Sequence, residues 1–218
     1  MKSLAFTKTY GTRQVLSVPE LSFLPGEISA VIGANGSGKS TLGRILAGVE
    51  TADQKKPVLN RVSVGYLPQK PFAFRMRLEQ NLLLNGSDRQ RAETLLEALG
   101  LMPLRKNRAH RLSGGETAKM ALARLFMADY DMLILDEPTA AMDMESTFAA
   151  ERLILEYREK TECAVLLITH SLQQAQRLSD RTIYLEQGRL IEQGAAAEML
   201  RSPKEIGTKR FLEFYGNG

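Results

Sequence analysis

Residues 28–48, ISAVIGANGSGKSTLGRILAG, decide the fold of this chain. They open with an apolar run rich in β-branched residues, which predicts a buried strand. Residues 33–40, GANGSGKS, then match the phosphate-loop pattern G-x-x-x-x-G-K-[ST]. Apolar residues follow at helical spacing, and Gly48 stands where the glycine that ends a helix is expected. Strand, glycine loop and helix in this order predict binding of a nucleoside triphosphate.

The chemistry of this loop follows from its backbone. Glycines allow successive N–H groups to turn inward, and the helix N-terminus adds partial positive charge, so that together they cradle polyphosphate. Lys39 is expected to reach the β- and γ-phosphates, and Ser40 to place its hydroxyl on Mg²⁺. The alternative is a glycine-rich turn with an incidental Lys-Ser pair, which the flanking strand and helix disfavour.

Length and composition bound the remaining possibilities. A chain of 218 residues suits one α/β domain with a small subdomain, and 44% hydrophobic with 25% charged residues is typical of globular proteins. The net charge of +4 favours a solvated basic face over a dedicated anionic partner. No apolar run approaches the roughly 18 residues of a membrane-spanning helix, and no signal-peptide core is found. The one cysteine, Cys163, begins an apolar strand, so we expect a buried thiol in a reducing cytoplasm.

The N-terminal part predicts short antiparallel strands at residues 4–6, 14–18 and 21–24, separated by turns at 10–11 and 25–26. These strands would form a β layer that leads into the phosphate-loop strand. Tyr10 lies at the first turn, where an aromatic ring can stack on adenine. Taken alone, Tyr10 is equally well explained as a packed turn tyrosine.

The middle of the chain changes character after a predicted strand at residues 61–67. A short helix over 78–84 and an amphipathic helix over 92–99 predict a helical insert on the α/β core. A basic run, Arg105, Lys106, Arg108 and Arg111, suggests contact with nucleic acid or lipid headgroups. Because no aromatic residues are interleaved, a solvated face explains this run better. His110 in the same loop is expected to be structural.

Residues 112–116, LSGGE, precede a predicted helix over about 117–127. Ser113 and Glu116 have the spacing of a capping box, which explains both residues without any ligand. The two consecutive glycines are not explained in this way, because glycine weakens a helix. A second anion site at a helix N-terminus is the alternative.

Two further apolar strands end in polar residues. Residues 132–138, MLILDEP, predict a strand of a parallel sheet that places Asp136 and Glu137 at its C-terminal end, where ligands bind in open α/β sheets. Asp136 suits the Mg²⁺ shell, and Glu137 suits orientation or deprotonation of the water that attacks the γ-phosphate. Paired acids in a solvent-facing loop are the alternative. The strand at 164–168 ends in Thr169-His170, which places His170 at the same edge, as a phosphate contact or as a structural histidine.

These motifs, in this order, resemble the nucleotide-binding subunit of an ATP-binding-cassette (ABC) transporter, and the resemblance covers essentially the whole chain. It implies an α/β phosphate-loop NTPase core with a mostly parallel sheet, an N-terminal antiparallel β layer and a helical subdomain. The core would comprise residues 1–68 and about 131–218, and the subdomain about 69–130. The resemblance also implies an ATPase with ATP and Mg²⁺ as ligands.

Site residues follow from the resemblance position by position. Tyr10 would stack on adenine, and the phosphates would be held by Gly33, Asn35, Gly36, Ser37, Gly38, Lys39, Ser40 and Thr41. Ser40 and Asp136 would hold Mg²⁺, and Gln69 would contact Mg²⁺ or the attacking water. Glu137 would act as base, and His170 and Lys39 would contact the γ-phosphate. Ser113 and Gly115 would complete the site of the opposite subunit in a head-to-tail dimer, with Asp143 near that interface.

This sequence departs from the family pattern at a few positions. The signature ends in Glu116 rather than Gln, Ala140-Ala141-Met142 replaces Ser-Ala-Leu before Asp143, and Ser171 replaces Asp after His170. Because the residue types that contact nucleotide are retained, the resemblance still implies a competent ATPase. Residues 174–181 and 211–212 resemble ATPases of tungstate and related oxyanion importers.

The resemblance implies permease subunits as membrane partners, a solute-binding protein in the case of import, no nucleic acid, and a location on the cytoplasmic face of the membrane. The groove for the permease would include residues 72–84. Alternatives are an exporter ATPase and a soluble ABC ATPase of DNA repair or translation. The soluble class usually carries a long coiled-coil insertion or two cassettes, neither of which this chain contains. A phosphate-loop kinase is disfavoured by LSGGE and by Glu137.

Overall fold

The structure is a computed structural model that describes residues 1–56 and 58–216. Contacts between residues divide the chain into two compact units. The first, here called the core unit, contains residues 1–66, 131–136 and 162–218, and the second, the helical unit, contains 67–130 and 137–161. The helical unit therefore includes residues 137–161, which the sequence analysis assigned to the core.

The described residues form eight strands and eight α-helices. The strands are β1 Phe6–Tyr10, β2 Arg13–Val18, β3 Ile28–Ile32, β4 Val64–Leu67, β5 Met132–Asp136, β6 Ala164–Ile168, β7 Arg181–Glu186 and β8 Arg189–Ala195. The helices are α1 Lys39–Leu46, α2 Leu78–Leu82, α3 Arg89–Ala98, α4 Gly114–Leu125, α5 Met144–Thr161, α6 Leu172–Leu178, α7 Ala196–Met199 and α8 Ile206–Tyr215. Short 3-10 helices occupy Met102–Leu104 and Ala109–Arg111.

The strands form one mixed sheet in the order β1-β2-β8-β7-β3-β6-β5-β4. Strand β3 lies between β7 and β6 and is parallel to both, and β6 is parallel to β5. The pairs β1–β2 and β7–β8 are antiparallel. The predicted fold class, a mostly parallel α/β core with an antiparallel N-terminal element, is confirmed. The N-terminal pair is not a separate layer, because Ser17 of β2 pairs in parallel with Arg189 of β8.

The central strands are buried because both faces of the sheet are covered. Val31 of β3 belongs to one apolar cluster, which also contains Leu42 and Ile45 of α1. Its neighbours Ala30 and Ile32 belong to a second cluster, which contains Ala175, Tyr184, Met199 and Phe211 and is covered from α6, α7 and α8. Successive strand residues point to opposite faces, so an unbroken apolar run was the expected pattern for such a strand.

Three strand predictions need correction. The strand predicted at residues 21–24 is wrong, because only an isolated bridge joins Ser22 to Lys2. Leu21 and Phe23 are apolar because they are buried in the core, each 1% exposed, and not because they form a ladder. Strand β1 extends over Phe6–Tyr10 rather than ending at Phe6, and β4 begins at Val64 rather than at Arg61, whose φ is positive.

The helical unit confirms its predicted helices, although their bounds differ by a few residues. The second helix begins at Arg89, where the carboxylate of Asp88 accepts a hydrogen bond from the Arg91 N–H, a typical N-cap. Inside the unit the rings of Phe126 and Tyr157 stack at a centroid distance of 4.6 Å. This contact joins α5 to the end of α4, which carries the LSGGE segment at its start.

Candidate functional site

The phosphate loop follows β3 in the core unit, and its backbone conformation requires glycine. Gly33, Gly36 and Gly38 have φ values of 151°, 79° and 104°, a region that residues with a side chain rarely adopt. A Cβ at Gly33 would lie 2.2 Å from the carbonyl oxygen of Leu185. The loop is therefore fixed by close packing on β7 as well as by its own sequence.

Two side chains of the loop are buried and point into it. Lys39 is 7% exposed, and its Nζ donates hydrogen bonds to the carbonyl oxygens of Gly33 at 2.7 Å and Ala34 at 3.0 Å. Ser37 is 5% exposed, and within residues 1–56 and 58–216 its hydroxyl has no hydrogen-bond partner. A glycine-rich loop with a buried cation at the start of a helix fits a polyphosphate.

Asp136 ends β5 beside the start of α1. It is 1% exposed, and its Oδ1 accepts a hydrogen bond of 3.1 Å from the hydroxyl of Ser40. A buried carboxylate next to a hydroxyl provides the oxygen ligands that Mg²⁺ prefers. Both predicted metal residues of the core unit are therefore in contact, and their chemistry fits the ion.

The register of the sheet brings His170 to the same edge. Asp136 pairs with Ile168 of β6, and Ile168 pairs with Val31 of β3. The three strands are parallel, so their carboxyl ends, which lead to Glu137, to His170 and to the phosphate loop, lie at one edge of the sheet. His170 is exposed, two residues beyond the end of β6.

Tyr66 is a residue that the sequence analysis missed. It lies in β4, and burial, together with the charge of Asp136 and a hydrogen bond to that carboxylate, raises the pKa of its hydroxyl to about 12. Tyr66 therefore remains a neutral donor to Asp136 at any physiological pH. The one indication in the sequence of a role for Tyr66 is its place near the carboxyl end of a core strand, at the edge of the sheet where ligands bind.

In the helical unit, a cavity of about 510 Å³ contains two predicted site residues, Gln69 and Glu137. Its wall also includes Gly114 and Thr117 from the start of α4. Glu137 has a φ of 52°, the left-handed conformation that is unfavourable for a residue with a side chain. Such conformations are concentrated at functional sites, where the surrounding structure holds them.

The start of α4 confirms the capping box. The Ser113 hydroxyl accepts a bond of 3.3 Å from the Glu116 N–H, and the Glu116 carboxylate accepts one of 2.7 Å from the Ser113 N–H. A Cβ at Gly115 would lie 2.8 Å from the carbonyl oxygen of Ala141, so packing explains this glycine. At Gly114, no atom of the described residues outside its own helix turn lies within 4 Å of the position of a Cβ. Packing within the described chain therefore leaves Gly114 unexplained.

The remaining predicted site residues lie in loops and strand ends. Tyr10 ends β1 and is 47% exposed. Asp143 precedes α5, and its carboxylate accepts a hydrogen bond of 2.7 Å from the Ser146 N–H. This bond lowers the pKa of Asp143. Asn35, exposed, and Thr41, partly exposed, flank the glycines of the phosphate loop.

Comparison with known protein families shows which family the chain belongs to. The family model described as "ABC transporter" matches residues 16–140, more than half of the chain. The chain belongs to the ABC transporter family. It is an ABC ATPase, a protein that hydrolyses ATP.

Relatives of this ABC ATPase include several import proteins. The tungstate uptake system ATP-binding protein TupC of Peptoclostridium acidaminophilum is 36% identical over 202 residues, which cover 85% of this chain and 94% of that protein. The aliphatic sulfonates import ATP-binding protein SsuB 2 of Paracoccus denitrificans is 32% identical, covering 96% and 86%. The zinc import ATP-binding protein ZnuC of a Chelativorans species is 36% identical, covering 86% and 68%.

Solved structures agree with the fold of this ABC ATPase. An ATP-binding subunit of an ABC transporter superposes with a TM-score of 0.83 at 22% identity, covering 99% of this chain and 98% of that one. The RNase-L inhibitor superposes with the same TM-score at 29% identity, but only 42% of its chain is covered. In the part of the chain that the structure describes, no helix has the length and apolar character needed to cross a membrane.

Proposed function

We propose that this ABC ATPase couples ATP hydrolysis to the import of a solute through separate membrane subunits. One observation carries the proposal: a buried phosphate loop with the Ser40–Asp136 contact occurs in a chain that matches import ATP-binding proteins over nearly their full length. The phosphate loop and its Ser40–Asp136 contact support hydrolysis of a nucleotide, and the similarity to import proteins supports its use in uptake.

In the core unit, the loop residues Gly33, Asn35, Gly36, Ser37, Gly38, Lys39, Ser40 and Thr41 hold the phosphates, and Tyr10 stacks on the base. Lys39, now bonded to two loop carbonyls, exchanges these contacts for the β- and γ-phosphates. Ser40 and Asp136 hold Mg²⁺, which neutralises charge on the phosphates when it is bound. His170 contacts the γ-phosphate.

In the helical unit, Glu137 and Gln69 act on the attacking water. Glu137 accepts its proton or orients it, and Gln69 contacts the water or Mg²⁺ and responds to the state of the nucleotide. Their shared cavity of about 510 Å³ supports this assignment, because it is large enough for water and a phosphate group. Glu137 directly follows β5, and its left-handed backbone conformation, which is typical of functional positions, also supports the assignment.

Two copies of the chain bind ATP between them in a head-to-tail dimer. The N-terminus of α4, with Ser113 and Gly115, completes the site of the opposite copy, and Asp143 lies near the interface. Gly114 supports this assembly, because the open space at this glycine allows a phosphate to approach the backbone N–H groups of the helix.

Permease subunits are the membrane partners, and the chain binds them from the cytoplasmic side. Among the relatives, tungstate and sulfonate importers point to an oxyanion such as tungstate as the solute, delivered by a solute-binding protein. Nucleic acid is not a partner.

The alternative is a soluble ABC ATPase that acts in translation or DNA repair. A structure described as an archaeal ribosome recycling factor, in complex with a ribosomal stalk protein, superposes on this chain at 29% identity. This chain covers only 42% of it, whereas it covers 94% of the tungstate uptake protein. The difference in coverage favours transport. An exporter ATPase is the second alternative, which the import relatives disfavour.

Affinity purification of the tagged chain from detergent-solubilised membranes of its host tests the proposal. Mass spectrometry should identify a polytopic membrane protein in stoichiometric amount, and a solute-binding protein in addition. The ligand of that binding protein then identifies the solute. Recovery of the chain with ribosomes or DNA-repair factors, and without a membrane protein, would contradict the transport role.

A further inference from the structure

We infer that Glu50 is a positioning residue that fixes the ring of Tyr10 as a platform for the adenine base. Glu50 follows α1, and neither residue type nor spacing singled it out in the sequence. The inference rests on the proposed function, in which Tyr10 stacks on the base, and adds the group that holds the ring. It also identifies how the base platform is joined to the phosphate-loop helix.

Three donors converge on the Glu50 carboxylate. The Tyr10 hydroxyl donates to Oε1, the Lys8 ammonium lies 3.1 Å from the same oxygen, and Nε of Arg44 donates to Oε2 at 3.0 Å. The Glu50 side chain is only 18% exposed. Burial acts to raise the pKa of Glu50, but hydrogen bonds from Tyr10, Arg44 and Lys8 outweigh it and lower the pKa. Glu50 is therefore a fixed anion that holds three side chains.

The same carboxylate is connected to the phosphate loop. Arg44 lies in α1, one turn after Thr41, and its guanidinium also donates a hydrogen bond of 3.1 Å to the Thr41 hydroxyl. A continuous chain of contacts thus runs from Tyr10 through Glu50 and Arg44 to Thr41. Because all four residues lie in the core unit, this connection is complete within one unit.

Tyr10 is held by this network on its hydroxyl side. Its ring is 47% exposed, and the Lys8 ammonium lies 5.1 Å from the ring centroid, over one face. An exposed aromatic side chain normally exchanges rotamers, and ordering it on binding costs free energy. Glu50 and Lys8 restrict the ring before nucleotide arrives. The base then stacks on the ring face opposite to Lys8, without that ordering cost.

Loss of the Tyr10–Glu50 hydrogen bond should weaken recognition of the adenine base and leave recognition of the phosphates unchanged. Removing the Tyr10 hydroxyl leaves the Glu50–Arg44–Thr41 contacts and the phosphate loop intact, so that binding of phosphates alone is retained. The readout is therefore the ratio of two dissociation constants, for Mg-tripolyphosphate and for Mg-ATP. A merely structural role of Glu50 would weaken both ligands alike and leave the ratio unchanged.

The experiment is calorimetric titration of the full chain with both ligands. Tyr10→Phe keeps the ring but removes its hydroxyl, and should weaken Mg-ATP binding by about three- to tenfold, as expected when one side chain must be ordered on binding. Binding of Mg-tripolyphosphate should be unchanged. Glu50→Ala should lower the same ratio when it is introduced into the wild type. It should lower the ratio much less when it is introduced into the Tyr10→Phe variant, because the two changes remove one shared contact.

Asp53→Ala is the matched control. Asp53 is another carboxylate that contacts β1, where it accepts hydrogen bonds from Thr7 and Thr9 rather than from Tyr10. This variant should keep the wild-type ratio. An unchanged ratio in both Tyr10→Phe and Glu50→Ala would overturn the inference, as would equal affinity of the wild type for the two ligands. If the wild type binds neither ligand, the proposed function itself fails.

Discussion

The left-handed backbone conformation of Glu137 allows its effect on stability to be measured separately from the effect of its carboxylate on ATP hydrolysis. With a φ of 52°, this residue carries a cost of about 1–2 kcal/mol that glycine would not carry. Glycine in turn loses about 0.5–1 kcal/mol through its freedom in the unfolded chain. Glu137→Gly should therefore be more stable than Glu137→Gln by about 0.5–1 kcal/mol, which corresponds to an increase in Tm of about 1–4 °C for a chain of this length. Both variants lack the carboxylate, so its charge does not contribute to the difference in stability between them.

Thermal unfolding without nucleotide, followed by circular dichroism, measures this difference, and ATP hydrolysis is measured on the same samples. Both Glu137 variants should hydrolyse ATP more slowly by about two orders of magnitude or more, because the proposed general base is gone. Glu162→Gly is the control, since Glu162 has a φ of 53° in the turn between α5 and β6. It should raise Tm by a similar amount and leave hydrolysis unchanged. An increase in Tm for Glu162→Gly together with none for Glu137→Gly over Glu137→Gln would refute the reasoning.

Three further predictions concern glycines and the helix cap. Gly33→Ala should lower the free energy of unfolding by about 3 kcal/mol and abolish ATP binding, because its Cβ would lie 2.2 Å from a backbone carbonyl oxygen. Denaturant unfolding measures the loss of stability, and titration with ATP measures the loss of binding. Gly114→Ala should leave the free energy of unfolding unchanged or raise it by about 1 kcal/mol, and yet reduce ATP hydrolysis, whereas Gly115→Ala should reduce both stability and hydrolysis. Equal hydrolysis by the wild type and Gly114→Ala would argue against contact with a second copy of the chain at this position. Hydrogen bonds from Ser113 lower the pKa of Glu116. The contribution of this cap to stability is therefore fully present above the ordinary pKa of 4.5, and it is lost as the pH falls through the lowered pKa of the folded state. The Tm difference between the wild type and Glu116→Ala should shrink over that range, and a difference independent of pH would contradict this assignment.

The fold was predictable where the sequence pattern reflects burial. Strands β3, β5 and β6 are apolar throughout because both faces of the sheet are covered, and the glycines of the phosphate loop mark conformations that only glycine adopts readily. The positions of Asp136 and His170 followed from the same pattern, because parallel strands end at one edge.

What the sequence did not indicate depends on contacts between distant residues. Leu21 and Phe23 alternate like a strand although they are packed core residues without a ladder, because periodicity alone cannot separate the two. Tyr66 and Glu50 gain their significance only from Asp136 and Tyr10, which lie far from them in the chain. The left-handed conformation of Glu137 likewise has no signature in the residues around it.

The central claim is that ATP joins two copies of this chain, with the LSGGE helix of one against the phosphate loop of the other. Sedimentation analysis of Glu137→Gln, with and without ATP, tests it most directly. The account predicts a monomer without nucleotide and a dimer with ATP, and it predicts a monomer in both conditions when Ser113→Arg is added. A species whose mass does not change with ATP, or a dimer that Ser113→Arg leaves intact, would contradict it.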